Sequence, residues 1–336
     1  MAVRLVAGEG KDGGGGFRIG VKSDLNEYRS NCFARSGINA GINSDQNKLF
    51  IGNQTVTLPK DHSGENILVL SGKPNGKQIE LTLTLGDDIA SVTHSVPAKS
   101  ILGNVALVSQ YTGPKKTQEA VDGYRFTDWE LEGEAFTISP DHAFGPLLWS
   151  MYTLSDSRTD QGFIMKMSAL TGPLGKEDNH TVELQIKQNG AWKSLGEATL
   201  DGDAWVATFT IPHWQEELAS AYRLVYLEKH KDGSVTRNEW GGIIKPNPSG
   251  RPLRLGALTC QNDYAFPYEP VAENLIKLDL DMLYFSGDQL YENHGGFGII
   301  RDPADPAILN YLRKFYQFGW SFREAMKNSP TVCLPD

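Results

Sequence analysis

The first part of the chain alternates apolar and polar residues with a period of two, which is typical of half-buried β-strands. Residues 81–85, for example, alternate Leu with Thr. No stretch of residues 17–135 keeps the 3.6-residue period of an amphipathic helix. Many short strands without helices predict that a first domain, residues 1–135, folds as a β-sandwich.

Residues 136–247 show the same period and predict a second all-β domain. Apolar and polar residues alternate along residues 182–186, and Asn189-Gly190 follows as a strong signal for a tight hairpin turn. About seven such strands suit an immunoglobulin-like or fibronectin-like sandwich. No convergent set of titratable side chains accompanies these strands, so we expect no catalytic residue before residue 248.

The pattern changes after residues 245–250, whose Pro, Asn, Ser and Gly content predicts a linker. Short apolar strands and stretches of helical spacing then alternate over residues 251–336. Asp305 and Pro306 form a good N-cap and N1 pair for a long amphipathic helix. This order of elements predicts an α/β domain with a largely parallel sheet. Its predicted strands are residues 253–258, 282–285 and 331–334.

Composition and charge exclude several classes of function. The 336 residues include 32 Lys plus Arg and 41 Asp plus Glu, so the net charge of −9 disfavours nucleic acid and anionic membranes as partners. No apolar run approaches the roughly 20 residues that a membrane helix needs. The start of the chain lacks the basic and apolar regions of a signal peptide. Three cysteines argue against a disulfide framework and leave a thiolate available for chemistry.

Three predicted strand ends carry side chains that can bind a metal. Parallel sheets place ligands beyond the carboxyl ends of their strands, and Cys260, Asp288 and Asp336 each follow a predicted strand. The carboxylate of Asp288 can bridge two cations, and Gly287 before it permits a sharp turn. Tyr291 would return its phenol to the same side after one helical turn. A thiolate is a soft ligand for iron or zinc, whereas a phenolate suits a trivalent cation.

Each of these residues also has a structural interpretation. A lone Cys after a strand is more often buried packing, Gly-Asp after a strand is common, and an isolated Asp often caps a helix or a turn. The metal hypothesis therefore depends on three successive strand ends carrying ligands together. Cys333 lies inside the third strand and is expected in the core. His294, close to the motif, is either a substrate contact or a solvent-facing loop residue.

These motifs resemble those of the PhoD-type alkaline phosphatases, a branch of the calcineurin-like metallophosphoesterases. The resemblance rests on Thr-Cys-Gln at residues 259–261, Gly-Asp-Gln-Leu-Tyr-Glu at residues 287–292 and Leu-Pro-Asp at residues 334–336. It implies a four-layer α/β/β/α catalytic domain that follows an N-terminal β-sandwich. It also implies a binuclear centre, made of iron plus calcium or another divalent cation, that hydrolyses phosphate monoesters or diesters with an activated water.

The resemblance implies a metal role for four residues. Cys260 matches the family's first ligand, Asp288 matches the bridging Asp, Tyr291 matches the iron-binding Tyr, and Asp336 matches the first Asp of a further motif. The rest of that motif and the later histidine ligands are missing here. We therefore expect residues 251–336 to be the first part of a catalytic domain that is incomplete in this chain. The family also suggests an exported or cell-surface location in bacteria.

A weaker resemblance concerns the first domain. Residues 103–109 and 124–131 resemble the closing strands of concanavalin-like jelly rolls, which bind carbohydrate or serve as spacers. Polysaccharide is therefore a candidate partner of this domain. Two functions stay open: a metal-dependent phosphoric ester hydrolase, or a non-catalytic surface or carbohydrate-binding protein with an incomplete phosphatase domain. The presence of all three ligand-type residues at positions 260, 288 and 291 favours the hydrolase.

Overall fold

The computed structural model describes residues 1–7, 14–21, 37–43, 46–59, 66–109, 111, 124–138, 144–261, 266–293 and 298–334. Among these residues the chain is mostly β-sheet, with two α-helices and one short 3-10 helix (Ala98–Ile101), and most strands pair antiparallel. The predicted all-β character of the part before the linker is confirmed. The chain divides into two compact units, Met1–Ser139 and Pro140–Asp336.

Two five-stranded antiparallel sheets form the first unit. Their strands are β1 (Ala2–Ala7), β2 (Gly15–Val21), β3 (Ile38–Asn43), β4 (Lys48–Ile51), β5 (Gln54–Thr57), β6 (Asn66–Asn75), β7 (Gln78–Leu85), β8 (Ala90–Pro97), β9 (Asn104–Val108) and β10 (Tyr124–Glu130). The strand orders are β10-β1-β6-β7-β8 and β5-β4-β3-β2-β9. One core takes Leu5 and Leu83 from the first sheet and Phe17 and Leu49 from the second. The two sheets therefore pack face to face.

The second unit begins with seven antiparallel strands in two sheets. They are β11 (Leu147–Asp156), β12 (Phe163–Thr171), β13 (Thr181–Gln188), β14 (Ala191–Thr199), β15 (Val206–Ile211), β16 (Ser220–Lys229) and β17 (Val235–Ile244). The strand orders are β11-β12-β15 and β14-β13-β16-β17, and one core lies between the sheets. Asn189 and Gly190 both have positive φ, 51° and 82°, which confirms the predicted hairpin turn between β13 and β14.

The segment after the linker forms a three-stranded parallel sheet. Its elements are β18 (Leu255–Leu258), helix α1 (Glu269–Lys277), β19 (Met282–Phe285), helix α2 (Ala304–Met326) and β20 (Thr331–Cys333). The sheet order is β18-β19-β20, and both pairings are parallel. None of the described helices is both long and apolar enough to cross a membrane.

The predicted starts of two elements were wrong in detail. Helix α2 begins at Ala304 with Pro303 as its N-cap, so Asp305 and Pro306 lie inside the first turn. Pro306 is tolerated there because the first amides of a helix have no partner within the helix. Strand β18 begins at Leu255, since the amide of Arg254 donates to a carboxylate instead of a neighbouring strand.

Helix α2 packs directly on the second sandwich. Gly319 in the middle of the helix lies against the indole of Trp149 from β11, whose side chain is buried. The guanidinium of Arg323 stacks on Trp320 and on Trp240, at 3.6 and 5.1 Å from the ring centroids. Strand β11 is therefore buried on both faces at its start, because one side faces the sandwich core and the other faces α2. The predicted domain boundary at the linker stays a prediction.

A buried carboxylate holds the residues just before β18 on the parallel sheet. Asp281, 7% exposed, accepts two 2.6 Å hydrogen bonds from Arg251 and one of 2.8 Å from the amide of Arg254. The bidentate bond from Arg251, together with the Arg254 amide and both positive charges, holds the pKa of Asp281 well below its usual range. The start of β18 is thereby fixed beside the start of β19.

We expect Asp281→Asn to lower the free energy of unfolding of the second unit by about 2 kcal/mol at neutral pH. The pKa of Asp281 is lower in the folded chain than in the unfolded chain. Its stabilising contribution is therefore complete above about pH 4 and disappears as the pH falls through the folded pKa. Urea unfolding followed by tryptophan fluorescence measures this difference in the free energy of unfolding. The signal reports mainly on the second unit, because six of the seven tryptophans, all but Trp129, lie there. A difference that stays constant from neutral pH to about pH 3 would contradict the expectation.

Candidate metal centre

The parallel pairing of β18 and β19 brings two predicted ligands to one edge of the sheet. Leu258 lies opposite Phe285 at the carboxyl ends of the two strands. The segments that follow stay paired, since the amide of Gln261 donates to the carbonyl of Asp288 at 2.9 Å. Cys260 and Asp288 therefore leave the sheet side by side, as the sequence predicts.

Both residues have an unusual backbone conformation. The φ angles of Cys260 and Asp288 are 59° and 53°, in the left-handed region that residues other than Gly seldom adopt. Gly287, before Asp288, has a φ of 117°. The left-handed conformation costs Cys260 more free energy than Asp288, because Asp adopts this region several times more often than most residues other than Gly. The sharp turn that Gly287 predicts is present, and a second one occurs at Cys260.

Three side chains meet at one carboxylate oxygen. The thiol of Cys260 donates to Oδ2 of Asp288 at 3.2 Å, and the phenol of Tyr291 donates to the same oxygen at 2.8 Å. Hydrogen bonds with Cys260 and then with Asp288, followed by burial and the negative charges of both groups, raise the pKa of Tyr291 well above its usual value. The predicted proximity of the three residues is confirmed.

The route by which Tyr291 returns to Asp288 differs from the prediction. Residues 286–293 form bends and a turn, and no helical turn is present between Asp288 and Tyr291. A left-handed residue cannot continue a right-handed helix, so the φ of Asp288 redirects the chain. The phenol of Tyr291 reaches the carboxylate of Asp288 because the chain bends at residues 289 and 290.

Gln289 connects the end of the third strand to the centre. Its side-chain amide donates to the carbonyls of Phe285 and Leu334 at 3.2 and 3.0 Å. Leu334, directly after β20, also donates its own amide to the carbonyl of Phe285 at 2.9 Å. The third strand therefore ends at the same edge as the other two. Asp336 and His294 lie outside the described residues, and their predicted roles stay predictions.

The sequence does not predict the burial of Gln261 beside the candidate centre. Its side chain is 7% exposed, and its Oε1 atom has no hydrogen-bond partner among the described residues. It lines a cavity of about 20 Å³ that Tyr291, Gln317 and Ser321 also line. This volume is enough for one water molecule. A glutamine directly after a candidate ligand gives no signal in the sequence that it will be buried.

The two described cysteines lie in different environments. Cys260 is exposed, whereas Cys333 is half-buried against the core that α2 forms with the parallel sheet. Burial raises the pKa of Cys333 to about 11. Cys333 therefore contributes to packing, as expected, and Cys260 is the thiol that can react with or bind a ligand from solvent.

The chemistry of the converging groups fits a cation. Two ligands of one ion lie roughly 2.8–3.1 Å apart when each bond is about 2.0–2.3 Å long and the angle between the bonds is near 90°. The distances from Asp288 Oδ2 to Cys260 and Tyr291, which are ordinary hydrogen-bond lengths, also lie near this spacing. Sulfur beside two hard oxygen donors suits iron. Among the described residues, no group of three or more His, Cys, Asp and Glu side chains could hold a metal. The candidate centre combines two of these types with a tyrosine.

No protein-family model matches the chain, and no curated protein matches it.

Proposed function

We propose that this chain carries the metal-binding edge of a metal-dependent phosphoric ester hydrolase. Cys260, Asp288 and Tyr291 would hold a binuclear centre of iron plus calcium or another divalent cation, with Asp336 as a further ligand. The observation that supports this best is the convergence of thiol, phenol and carboxylate at the carboxyl end of two parallel strands. The family resemblance of the same three residues supports the same proposal.

The negative charges of the three ligands explain why a phosphate ester would bind here only together with cations. A thiolate, a carboxylate and a phenolate in contact would repel a phosphate ester, and they attract cations for the same reason. When bound, the cations supply charge neutralisation for the phosphate and lower the pKa of an attacking water. The carboxylate of Asp288 offers two oxygens and can therefore contact both cations.

The fold holds the side chains of Cys260, Asp288 and Tyr291 in place before any substrate binds. The backbone pairing after β18 and β19 and the left-handed turns at Cys260 and Asp288 hold the donor atoms together. Because Cys260 is exposed, a solute can approach the centre from that side. Such preorganisation lowers the entropy cost of binding cations and substrate.

The proposal includes the finer assignment of the fold. Residues 1–135 would be a concanavalin-like jelly roll, residues 136–247 an immunoglobulin-like sandwich, and residues 251–336 the first part of an α/β/β/α catalytic domain. The parallel order β18-β19-β20, with a helix between successive strands, supports the last of these.

The test loads the purified chain with ferric iron and calcium, removes free ions by dialysis and measures bound metal by elemental analysis. Calorimetric titration with inorganic phosphate and an assay with a chromogenic phosphate ester then follow. We expect retained metal, phosphate binding by the loaded chain alone, and little ester turnover, because Cys260, Asp288, Tyr291 and Asp336 are fewer ligands than a catalytic binuclear centre uses. Absence of retained metal, or phosphate binding that persists in Asp288→Asn, would overturn the proposal.

A further inference from the structure

A buried lysine on α2 binds two backbone carbonyls, one of which belongs to the residue directly after Tyr291. Lys314 is 6% exposed, and its ammonium donates to the carbonyl of Glu292 and, at 2.9 Å, to the carbonyl of Gly298. Asn310 is 7% exposed and donates from Nδ2 to the carbonyl of Gly298 at 2.8 Å. The carbonyls of Glu292 and Gly298 are therefore held at one place on the helix.

The spacing of these two residues makes them a pair. Positions i and i+4 of a helix share a face, so Asn310 and Lys314 present their donors to the same carbonyl. The ammonium has three donors, and burying it is costly unless acceptors compensate. An apolar side chain of similar length would fill the space without this cost. The hydrogen bonds from Lys314 to the carbonyls of Glu292 and Gly298 offset part of this cost.

The helix that carries the pair is firmly held. Gly319 lies against the indole of Trp149, and Arg323 stacks on Trp240 of the second sandwich. Glu292 comes directly after Tyr291 in the chain, and Lys314 lines the same small cavity as Tyr291. The hydrogen bond from Lys314 on this fixed helix to the carbonyl of Glu292 therefore restricts where the phenol of Tyr291 can lie.

We infer that Lys314 and Asn310 are positioning residues that keep the phenol of Tyr291 on the carboxylate of Asp288. Their importance for catalysis rests on the proposed function, whereas the restraint itself is a property of the metal-free chain. Without it, the segment that includes Glu292 gains freedom, and Tyr291 leaves Cys260 and Asp288 for part of the time.

The test compares Lys314→Met with Lys277→Met, the same change at an exposed lysine of α1. Both variants of the full chain are studied without metal. Hydrogen exchange is measured for peptides that cover residues 286–300, and alkylation by iodoacetamide is measured separately at each cysteine by mass spectrometry. We expect Lys314→Met to accelerate exchange in this region, and alkylation of Cys260, by about tenfold. Lys277→Met should change neither rate.

The alkylation rate of Cys333 distinguishes a local change at the centre from general destabilisation of the fold. A merely structural loss would expose Cys333 as well, whereas release of Tyr291 accelerates alkylation at Cys260 and not at Cys333. If Lys314→Met does not fold, Asn310→Ala removes the hydrogen bond from Asn310 to Gly298 and should give a smaller change in the same direction. Unchanged rates at residues 286–300 and at Cys260 in a folded variant would overturn the inference. Because no metal is used, that outcome would leave the proposed function untouched, and a failure to bind metal would leave the inference untouched.

Discussion

Asp288→Asn is expected to weaken metal binding by roughly a hundredfold or more, the largest effect of any single substitution at the centre. Asp288 is the group to which both the thiol of Cys260 and the phenol of Tyr291 donate. The amide of asparagine carries no charge and offers one oxygen instead of two. Elemental analysis after dialysis, together with a calorimetric titration with iron and calcium, measures the loss.

The substitution is suited to this purpose because it should leave the backbone in place. Asparagine tolerates a left-handed conformation as well as aspartate does, so the φ of 53° adds no strain. Asp160→Asn, at an exposed position of the second unit, is the matched control and should retain the metal. Wild-type metal content in a folded Asp288→Asn variant would refute the bridging role.

Gly319→Ala is expected to destabilise the second unit by roughly 2 kcal/mol. Adding a methyl group to a well-packed core destabilises a protein by up to about 3 kcal/mol. The higher helix propensity of alanine offsets about 1 kcal/mol of this loss. The upper end applies because a Cβ atom at Gly319 would fall inside the indole of Trp149, which is 1% exposed and packs against Phe315 and Tyr316. Urea unfolding followed by tryptophan fluorescence measures the difference.

Gly202→Ala provides the control for this change. A methyl group added at Gly202 would have no heavy atom within 4 Å, and the φ of this residue is not left-handed, so alanine should fit there without strain. Equal unfolding midpoints for Gly319→Ala and the wild type would show that α2 does not pack on β11 as closely as described.

Much of the fold follows from local patterns in the sequence. The alternation at residues 81–85 predicts the buried Leu positions of β7, and Asn189-Gly190 predicts the hairpin turn. Cys260 and Asp288 come together because parallel strands bring their carboxyl ends to one edge. These predictions succeed because each depends on neighbouring residues or on one rule of sheet topology.

Other features depend on contacts between distant parts of the chain. Nothing near Lys314 in the sequence indicates that its ammonium will be buried against the carbonyls of Glu292 and Gly298. The left-handed backbone of Cys260 and the burial of Gln261 likewise result from the packing of the segments after β18 and β19. A lysine or a glutamine is usually exposed, so the residue type alone predicts exposure at positions that the packing buries.

X-ray absorption at the iron edge of the metal-loaded chain tests the donor set most directly. We expect one sulfur neighbour at about 2.3 Å and oxygen neighbours at about 2.0 Å, with the sulfur lost in Cys260→Ser and retained in Cys333→Ser. A wild-type shell without sulfur, or no bound iron, would contradict the claim that Cys260, Asp288 and Tyr291 form a metal centre.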